Sequence, residues 1–334
     1  MRPGAIAFAT LALLTAASAP GYATDYSYTT ISPPGSVDTY ISGINGSGQV
    51  VGDYYTSPCC STEYPFVYST GTFSAVSPPG AVRTDLFGVN DSGDVVGQYT
   101  NSANDSYSFT DIGGVVSIIS VPTASITYAQ GIDNVGQIVG YYEGSGDTIQ
   151  GFFGLPGSFT AVAVPGATET QALGINNSGQ IVGAYTSDGN GYAFVDNGGD
   201  FTMLGLPGND GIAYGINDAG EIVGDFISGG VINGFADVDG SISTINVPGA
   251  RFTEVSGIND AGQISGEYFV GNQNYGFIAT PVGIPEPASL GLLSFGLIAL
   301  GWFVTDLTAP NPPDTRTGAR RRWSIGMAAG EPRR

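Results

Sequence analysis

The acidic residues have the side chains of this sequence that are best suited to catalysis or ligand binding. Residues 24–283 contain 25 Asp and Glu, two arginines (Arg83 and Arg251) and no lysine, which gives a formal charge of −23. The whole chain has no histidine. Ser-His-Asp, Cys-His and His-metal mechanisms are therefore excluded. With so few basic groups to neutralise phosphates, the chain is not expected to bind nucleic acid.

Six acidic residues lie in or beside a turn that the sequence repeats: Asp91, Asp94, Asp218, Asp225, Asp260 and Glu267. Turn formation and solubility explain these residue types. Clustered Asp and Asn oxygens are also ligands for calcium, which makes calcium a candidate, although the EF-hand pattern is missing. Paired carboxylates could instead cleave a glycosidic bond. A catalytic pair should break the repeat, and no copy carries a long insertion. We therefore predict no enzyme, no catalytic residue and no cofactor or metal ligand.

Tyrosines follow the repeated segments closely: Tyr54, Tyr55, Tyr99, Tyr141, Tyr142, Tyr185 and Tyr268. Most are expected to pack between strands, and some to stack on sugar rings if several of them line one groove. The two cysteines, Cys59 and Cys60, are adjacent. They could form a vicinal disulfide, link to another chain or remain thiols, but they cannot join distant segments.

One phrase of ten residues recurs six times in the body of the chain. The copy from Gly43 to Gly52 reads Gly-Ile-Asn-Gly-Ser-Gly-Gln-Val-Val-Gly, and successive copies start 41 to 45 residues apart. The other copies run over 88–97, 131–140, 174–183, 215–224 and 257–266. Self-similarity at this period indicates a repeat architecture.

Each of the first five copies carries the signals of four short strands, and the last copy carries those of three. The Asn-x-x-Gly step predicts a tight turn between the first two strands. A short aromatic segment such as Phe66–Tyr68 predicts the third strand, and a β-prone segment that ends in proline, such as 73–80, predicts the fourth. Four strands in a copy of this length are typical of one propeller blade. The sequence therefore predicts an all-β, six-bladed β-propeller over residues 24–283.

The two ends of the repeat array lack complementary parts. Residues 28–35 form a fourth-type segment with no copy before it, and the last copy stops after its third strand, at Ala279. We predict that the N-terminal strand completes the last blade and closes the ring. A β-solenoid or a pair of β-sandwiches is the alternative.

The repeat phrase and its aromatic segment resemble the bacterial extracellular HAF repeats, named after a His-Ala-Phe tripeptide. The closest match to that tripeptide is Tyr192-Ala193-Phe194, and no copy has the histidine. The resemblance implies an extracellular location and says little about chemistry.

The first residues have the order of a secretory signal peptide. A basic start at Arg2 precedes an apolar stretch, and small residues then lead to Ala23. We predict a signal peptide over residues 1–23, cleaved after Ala23.

The C-terminal end, residues 284–334, has a second targeting pattern. Pro285, Glu286 and Pro287 precede an apolar segment at 288–304, which predicts a transmembrane helix. The basic residues Arg320, Arg321 and Arg322 follow and are expected to stay on the cytoplasmic side.

This tail resembles the PEP-CTERM sorting signal. In that family, an exosortase recognises the Pro-Glu-Pro motif, and the host is typically a Gram-negative bacterium that makes exopolysaccharide. Here a Pro-rich stretch separates the apolar segment from the arginines, whereas the arginines of the family follow the helix directly. The resemblance implies sorting through Pro285, Glu286 and Pro287, with anchoring in the membrane before processing.

Together these patterns predict an exported structural or interaction protein of the cell surface or extracellular matrix. Its expected partners are an exosortase-type enzyme and exopolysaccharide or other surface proteins. The alternative is a secreted carbohydrate-active enzyme that uses acidic residues.

Overall fold

Six four-stranded antiparallel sheets make up the described part of the chain, one for each copy of the repeat. The structure is a computed structural model that describes residues 26–57, 62–122, 124–146 and 148–282. The chain divides into two units, residues 1–283 and 284–334, and the described residues all belong to the first. The predicted cleavage site at Ala23, Cys59 and Cys60, and the predicted sorting signal with its helix and arginines lie outside the described residues. Within the described ranges, no helix has the length and apolar character that a membrane crossing requires.

The strands follow the chain in a regular order. The first strand, β1 (Tyr26–Ile31), belongs to a different sheet from the strands that follow it in sequence. Blade 1 consists of β2 (Asp38–Ile44), β3 (Val50–Tyr55), β4 (Glu63–Ser69) and β5 (Thr72–Ser74). Blade 2 consists of β6 (Ala81–Val89), β7 (Val95–Asn101), β8 (Ser106–Ile112) and β9 (Val115–Ile119). Blade 3 consists of β10 (Ile126–Ile132), β11 (Ile138–Glu143), β12 (Ile149–Leu155) and β13 (Ser158–Val162).

The second half repeats this plan. Blade 4 consists of β14 (Glu169–Ile175), β15 (Ile181–Ser187), β16 (Asn190–Asn197) and β17 (Asp200–Met203). Blade 5 consists of β18 (Asn209–Ile216), β19 (Ile222–Ser228), β20 (Val231–Val238) and β21 (Ser241–Ile245). Blade 6 contains β22 (Phe252–Ile258), β23 (Ile264–Val270) and β24 (Gln273–Pro281).

The sheets form a closed ring, so the predicted six-bladed propeller is confirmed. The first strand of each blade is the inner strand, and the six inner strands contact one another in the circular order β2, β6, β10, β14, β18, β22 and again β2. A solenoid or a pair of sandwiches would not bring β22 against β2. The fourth strands are shorter than the sequence indicated, since β5 has only three residues.

The N-terminal strand closes the last blade, as predicted. β1 pairs antiparallel with β24, with Thr30 opposite Phe277 and Tyr26 opposite Pro281. Ile31 is buried, and the ring of Tyr28 packs edge-on against Phe277 at a centroid distance of 5.7 Å. The fourth strand of blade 6 therefore comes from the opposite end of the sequence.

Apolar residues between adjacent blades form the core. Each blade places one phenylalanine of its third strand in a fully buried position: Phe66, Phe109, Phe152, Phe194, Phe235 and Phe277. Side chains alternate between buried and half-buried along the inner strands, as the two-residue period of a strand requires. The aromatic segment of each repeat is thus the third strand of its blade.

The asparagine of the repeat phrase joins neighbouring blades at one end of the propeller, which we call the turn end. Asn45 Oδ1 accepts hydrogen bonds from the backbone N–H groups of Ser47 and Gln49 within its own turn. Its Nδ2 donates to the carbonyl oxygen of Asn90 in the next blade at 2.8 Å. The same bond forms at four more of the blade contacts, and one of these closes the ring, where Asn259 donates to the carbonyl of Asn45. At the opposite end, which we call the connection end, the fourth strand of each blade leads into the first strand of the next.

Candidate functional site: the central cavity

A β-bulge in each inner strand directs one side chain toward the axis of the propeller. The pairing register of each inner strand shifts immediately before the first glycine of the repeat phrase. The residues at the bulge are Ser42, Phe87, Gln130, Leu173, Tyr214 and Ser256, and all six line a central cavity. A bulge reorients the side chain of the extra residue, so one position per blade controls the chemistry of this cavity.

The glycine after each bulge allows the inner strands to approach one another closely. A Cβ on Gly215 would lie 3.0 Å from the Cα of Gly257, and a Cβ on Gly88 would lie 2.8 Å from the carbonyl oxygen of Gln130. Both separations are shorter than normal van der Waals contacts. Any larger residue there would push the inner strands apart and widen the ring.

The cavity has a volume of about 340 Å³, which is within the usual range for small-molecule sites. An apolar ring separates it from the turn end: Ile44, Val89, Ile132, Ile175, Ile216 and Ile258. Toward the connection end its lining includes Tyr40, Asp225, Glu254 and Glu267. The cavity therefore has an apolar floor and a polar, acidic wall.

The acidic wall is contributed by blades 5 and 6. Glu254 on β22 lies directly opposite Glu267 on β23, and the two carboxyl groups are hydrogen-bonded to each other. Asp225, on β19 of the neighbouring blade, accepts a hydrogen bond from the backbone N–H of Val255 at 3.0 Å. Tyr214 of blade 5 and Tyr40 of blade 1 line the same cavity. Three carboxyl groups and two phenol groups thus occur in one sector of the ring.

Burial favours the protonated forms of the carboxyl groups on this wall. It raises the pKa of Glu267 well above its usual range, and the neighbouring charge of Glu254 adds to the effect. Burial also raises the pKa of Asp225 well above its usual range, against the opposing effect of the Val255 N–H group. The pKa of Glu254 is raised by burial as well. In its protonated form Glu267 donates the shared hydrogen bond and Glu254 accepts it.

A protonated carboxyl group offers both a hydrogen-bond donor and an acceptor, whereas an ionised one only accepts. The wall around Glu267 can therefore pair with hydroxyl groups, which also donate and accept. Phe87, Leu173 and the ring of Tyr214 give the cavity apolar surface beside these polar groups. Polar groups of this kind in an apolar pocket suit a small polyhydroxy ligand.

The acidic residues singled out from the sequence fall into two groups. Asp91, Asp218 and Asp260 lie at the turn end, where each accepts a hydrogen bond from a backbone N–H group of the preceding blade. Asp94 accepts from Asn90 in its own turn and from the backbone of Gly113. These four have the turn role that their sequence context indicated. Asp225 and Glu267 instead line the cavity.

Sequence reasoning missed Glu254, Tyr214 and Tyr40 as site residues. It treated the acidic residues as equivalent in every repeat, yet a Glu–Glu pair at this place occurs only in blade 6. The corresponding cross-strand pairs are Tyr40 with Asp53, Asp85 with Gln98, Tyr128 with Tyr141, Gln171 with Ala184, and Ile212 with Asp225. The signal that could have revealed them was variation among the copies, because the pair of residues at this place is different in each copy while the phrase beside it stays nearly constant.

The tyrosines after the repeat phrase pack within their own blades. Four of them face a tyrosine on the adjacent strand at centroid distances of 5.2–5.5 Å: Tyr54 with Tyr64, Tyr99 with Tyr107, Tyr185 with Tyr192, and Tyr268 with Tyr275. Tyr141 stacks on Tyr128, Tyr55 contacts Tyr40 edge-on, and Tyr142 donates a hydrogen bond to Gln150. They are distributed around the ring rather than gathered in one groove.

No family model and no curated protein matches this chain. Solved structures with distant similarity include TolB from Acinetobacter baumannii, at 13% identity and a TM-score of 0.48 over 61% of this chain and 52% of TolB. This chain thus spans about half the length of TolB. The propeller domain of the Trilobed protease from Pyrococcus furiosus is 8% identical, with a TM-score of 0.48 over 75% of this chain and 99% of that domain. The six-bladed lectin of Aleuria aurantia is 14% identical, with a TM-score of 0.41 over 76% of this chain and 99% of the lectin. At these identities and scores, none of them says what this chain binds.

Proposed function

We propose that this protein is an exported polysaccharide-binding propeller of the cell surface or extracellular matrix, which holds a sugar residue in its central cavity. The observation that carries the proposal is the hydrogen-bonded pair of Glu254 and Glu267, flanked by Tyr214 and Tyr40 in a cavity of about 340 Å³. The carboxyl groups pair with hydroxyl groups of the sugar, and the aromatic and apolar side chains contact its ring faces.

The charge of the protein limits the class of sugar. The strongly acidic surface repels carboxylated or sulfated polymers. Neutral sugars and amino sugars meet no such repulsion. The expected ligand is therefore a neutral or amino-sugar-containing exopolysaccharide.

Delivery to the surface depends on the two ends of the chain. The signal peptide that ends at Ala23 directs export, and Pro285, Glu286 and Pro287 present the tail to an exosortase-type enzyme. These segments support an extracellular site of action.

A secreted carbohydrate-active enzyme is the second candidate. The raised pKa of Glu267 favours it, because burial that favours the protonated form of a carboxyl group suits a general acid. Glycosidases, however, hold their two carboxyl groups about 5 to 9.5 Å apart. Groups joined by a hydrogen bond are closer than that, so Glu254 and Glu267 suit binding better than hydrolysis.

A cavity-filling variant tests the binding proposal. Ser256→Phe places at the bulge of blade 6 the residue that blade 2 already has there, Phe87, so the fold should tolerate it. We expect the filled cavity to weaken binding to the host's polysaccharide at least about ten-fold in affinity electrophoresis or titration calorimetry. The matched control is Val135→Phe, at a position that is 74% exposed at the turn end, which should bind like the parent.

The sample is the exported protein, whose intact mass also reports whether the chain ends near Pro285. Ser256→Phe binding as tightly as the parent would overturn the cavity as the site, and no binding by the parent to any neutral or amino polysaccharide would overturn the function. Reducing ends that appear with the parent but not with Glu267→Gln would establish the enzyme instead.

A further inference from the structure

A second acidic cluster lies at the contact between blades 1 and 2. Asp53 on β3, Glu63 on β4 and Asp85 on β6 each place a carboxylate oxygen within 4.8 Å of the other two. Arg83 contacts two of them, Glu63 at 2.6 Å and Asp85 at 3.1 Å. With all groups ionised, three carboxylates and one guanidinium carry a formal charge of −2.

One oxygen of this cluster has no partner. Asp53 is only 6% exposed, and its Oδ1 is shielded from solvent and forms no hydrogen bond. Arg83 forms ion pairs with Glu63 and Asp85 and does not contact this oxygen. An isolated buried carboxylate oxygen is strongly unfavourable unless a proton or a cation compensates it.

We propose that Asp53, Glu63 and Asp85 bind one calcium ion between blades 1 and 2. The charge of the ion balances the net charge of the cluster, and the ion provides the partner that Asp53 Oδ1 lacks. The site joins two blades through β3, β4 and β6, so ion binding should stabilise their contact. This site is separate from the sugar cavity and does not depend on the proposed function.

The set of three carboxylate donors favours calcium over magnesium. Ligand oxygens lie 2.3–2.6 Å from calcium, so two oxygens on one ion can be up to about 5 Å apart. Oxygens that lie within 4.8 Å of one another fit this limit. Magnesium keeps several of its water ligands and is usually bound through one or two carboxylates. Calcium also accepts irregular coordination completed by water, and a purely carboxylate set suits hard cations.

Calcium alone is the probe in the test. The full exported protein, treated with a chelator, is titrated with calcium chloride while its melting temperature and heat of binding are measured. We expect one bound calcium and a rise in melting temperature that Asp53→Asn abolishes. The matched control is Asp237→Asn, because Asp237 is also a buried aspartate with an unpartnered Oδ1 but lies outside the cluster. That control should keep the calcium response.

A second variant keeps the proposal testable if Asp53→Asn fails to fold. The side chain of Arg83 is 56% exposed, so Arg83→Gln should fold, and it removes the cation that competes for Glu63 and Asp85. We expect it to bind calcium several-fold more tightly. No calcium binding by the parent, a calcium response retained in Asp53→Asn, or weaker binding by Arg83→Gln would each overturn the site.

Discussion

At the scale of single residues, Asp133 stands where the other five repeats have the asparagine that joins neighbouring blades. Its Oδ1 accepts from the backbone N–H groups of Val135 and Gln137, as an asparagine Oδ1 would. Its Oδ2 therefore takes the place of Nδ2, but a carboxylate cannot donate to the carbonyl of the next blade. This oxygen is buried without a partner. Five of the six inter-blade bonds form, and the bond from blade 3 to blade 4 is missing.

We expect Asp133→Asn to stabilise the protein by about 1 kcal/mol at neutral pH, because it supplies the missing donor and removes an unpaired buried oxygen. Burial raises the pKa of Asp133, so the folded protein holds this proton more tightly than the unfolded chain does. The protonated group thus contributes stability at acidic pH, and this contribution is lost as the pH rises through the folded-state pKa. The advantage of the variant should therefore grow from acidic to neutral pH in urea unfolding.

The reverse change, Asn176→Asp, provides the control in the next blade. It should lower stability at neutral pH and introduce the same pH dependence at a second position. Equal unfolding free energies for Asp133→Asn and the parent at pH 7 would contradict this account of the ring.

At the scale of the strand pair, the bulge in the inner strand and the last glycine of the repeat phrase act together. After the bulge in the inner strand, the second strand passes so close that its glycine faces a backbone carbonyl. A Cβ on Gly183 would overlap the carbonyl oxygen of Gln171, and the corresponding glycine of every other blade meets the same obstacle: Gly52, Gly97, Gly140, Gly224 and Gly266. The last glycine of the phrase is thus required by sterics rather than by an unusual φ angle.

We expect Gly183→Ala to destabilise the protein by roughly 3 kcal/mol or more, since the added methyl group must displace the backbone of β14. The control is Gly205→Ala, where a Cβ meets no atom within 4 Å. That variant should remain within about 0.5 kcal/mol of the parent. Urea unfolding measures both, and a mild effect at Gly183 would show that the strand pair can relax around the extra atom.

The same pair of strands shows how much of the fold and of the site could be predicted from the sequence. The number of blades, the strand order and the closing strand follow from signals that recur in each copy, such as the Asn-x-x-Gly turn and the aromatic third strand. The bulge residues and the acidic wall of the cavity follow no such recurring signal. Whether Tyr214 or Ser256 points toward the axis depends on a one-residue pairing shift, and Glu254 meets Glu267 only through the register of β22 and β23. These relations between strands leave no periodic pattern in the sequence.

At the scale of the whole molecule, stability depends on a ring that closes between distant parts of the chain. The contacts that span the closure include the pairing of β1 with β24, the bond from Asn259 to the carbonyl of Asn45, and the bond from the backbone N–H of Asn274 to Asp38. Removing β1 would expose the edge of β24 and remove the ring of Tyr28 that packs on Phe277. An unpaired edge strand beside an exposed core favours aggregation.

A circular permutant tests whether pairing, rather than chain order, holds the ring together. Because Tyr26 lies opposite Pro281 in the antiparallel pair, a two-residue Asn-Gly turn can join them. The permutant opens the chain between Pro33 and Pro34, so that β1 follows β24 in one hairpin. Since every strand keeps its partners, we expect a single cooperative transition within about 4 °C of a parent spanning residues 26–282. A variant of that parent without residues 26–33 should lose this transition or aggregate, because blade 6 then has three strands. A permutant that fails to fold, or a deletion variant as stable as its parent, would show that β1 does not carry the closure.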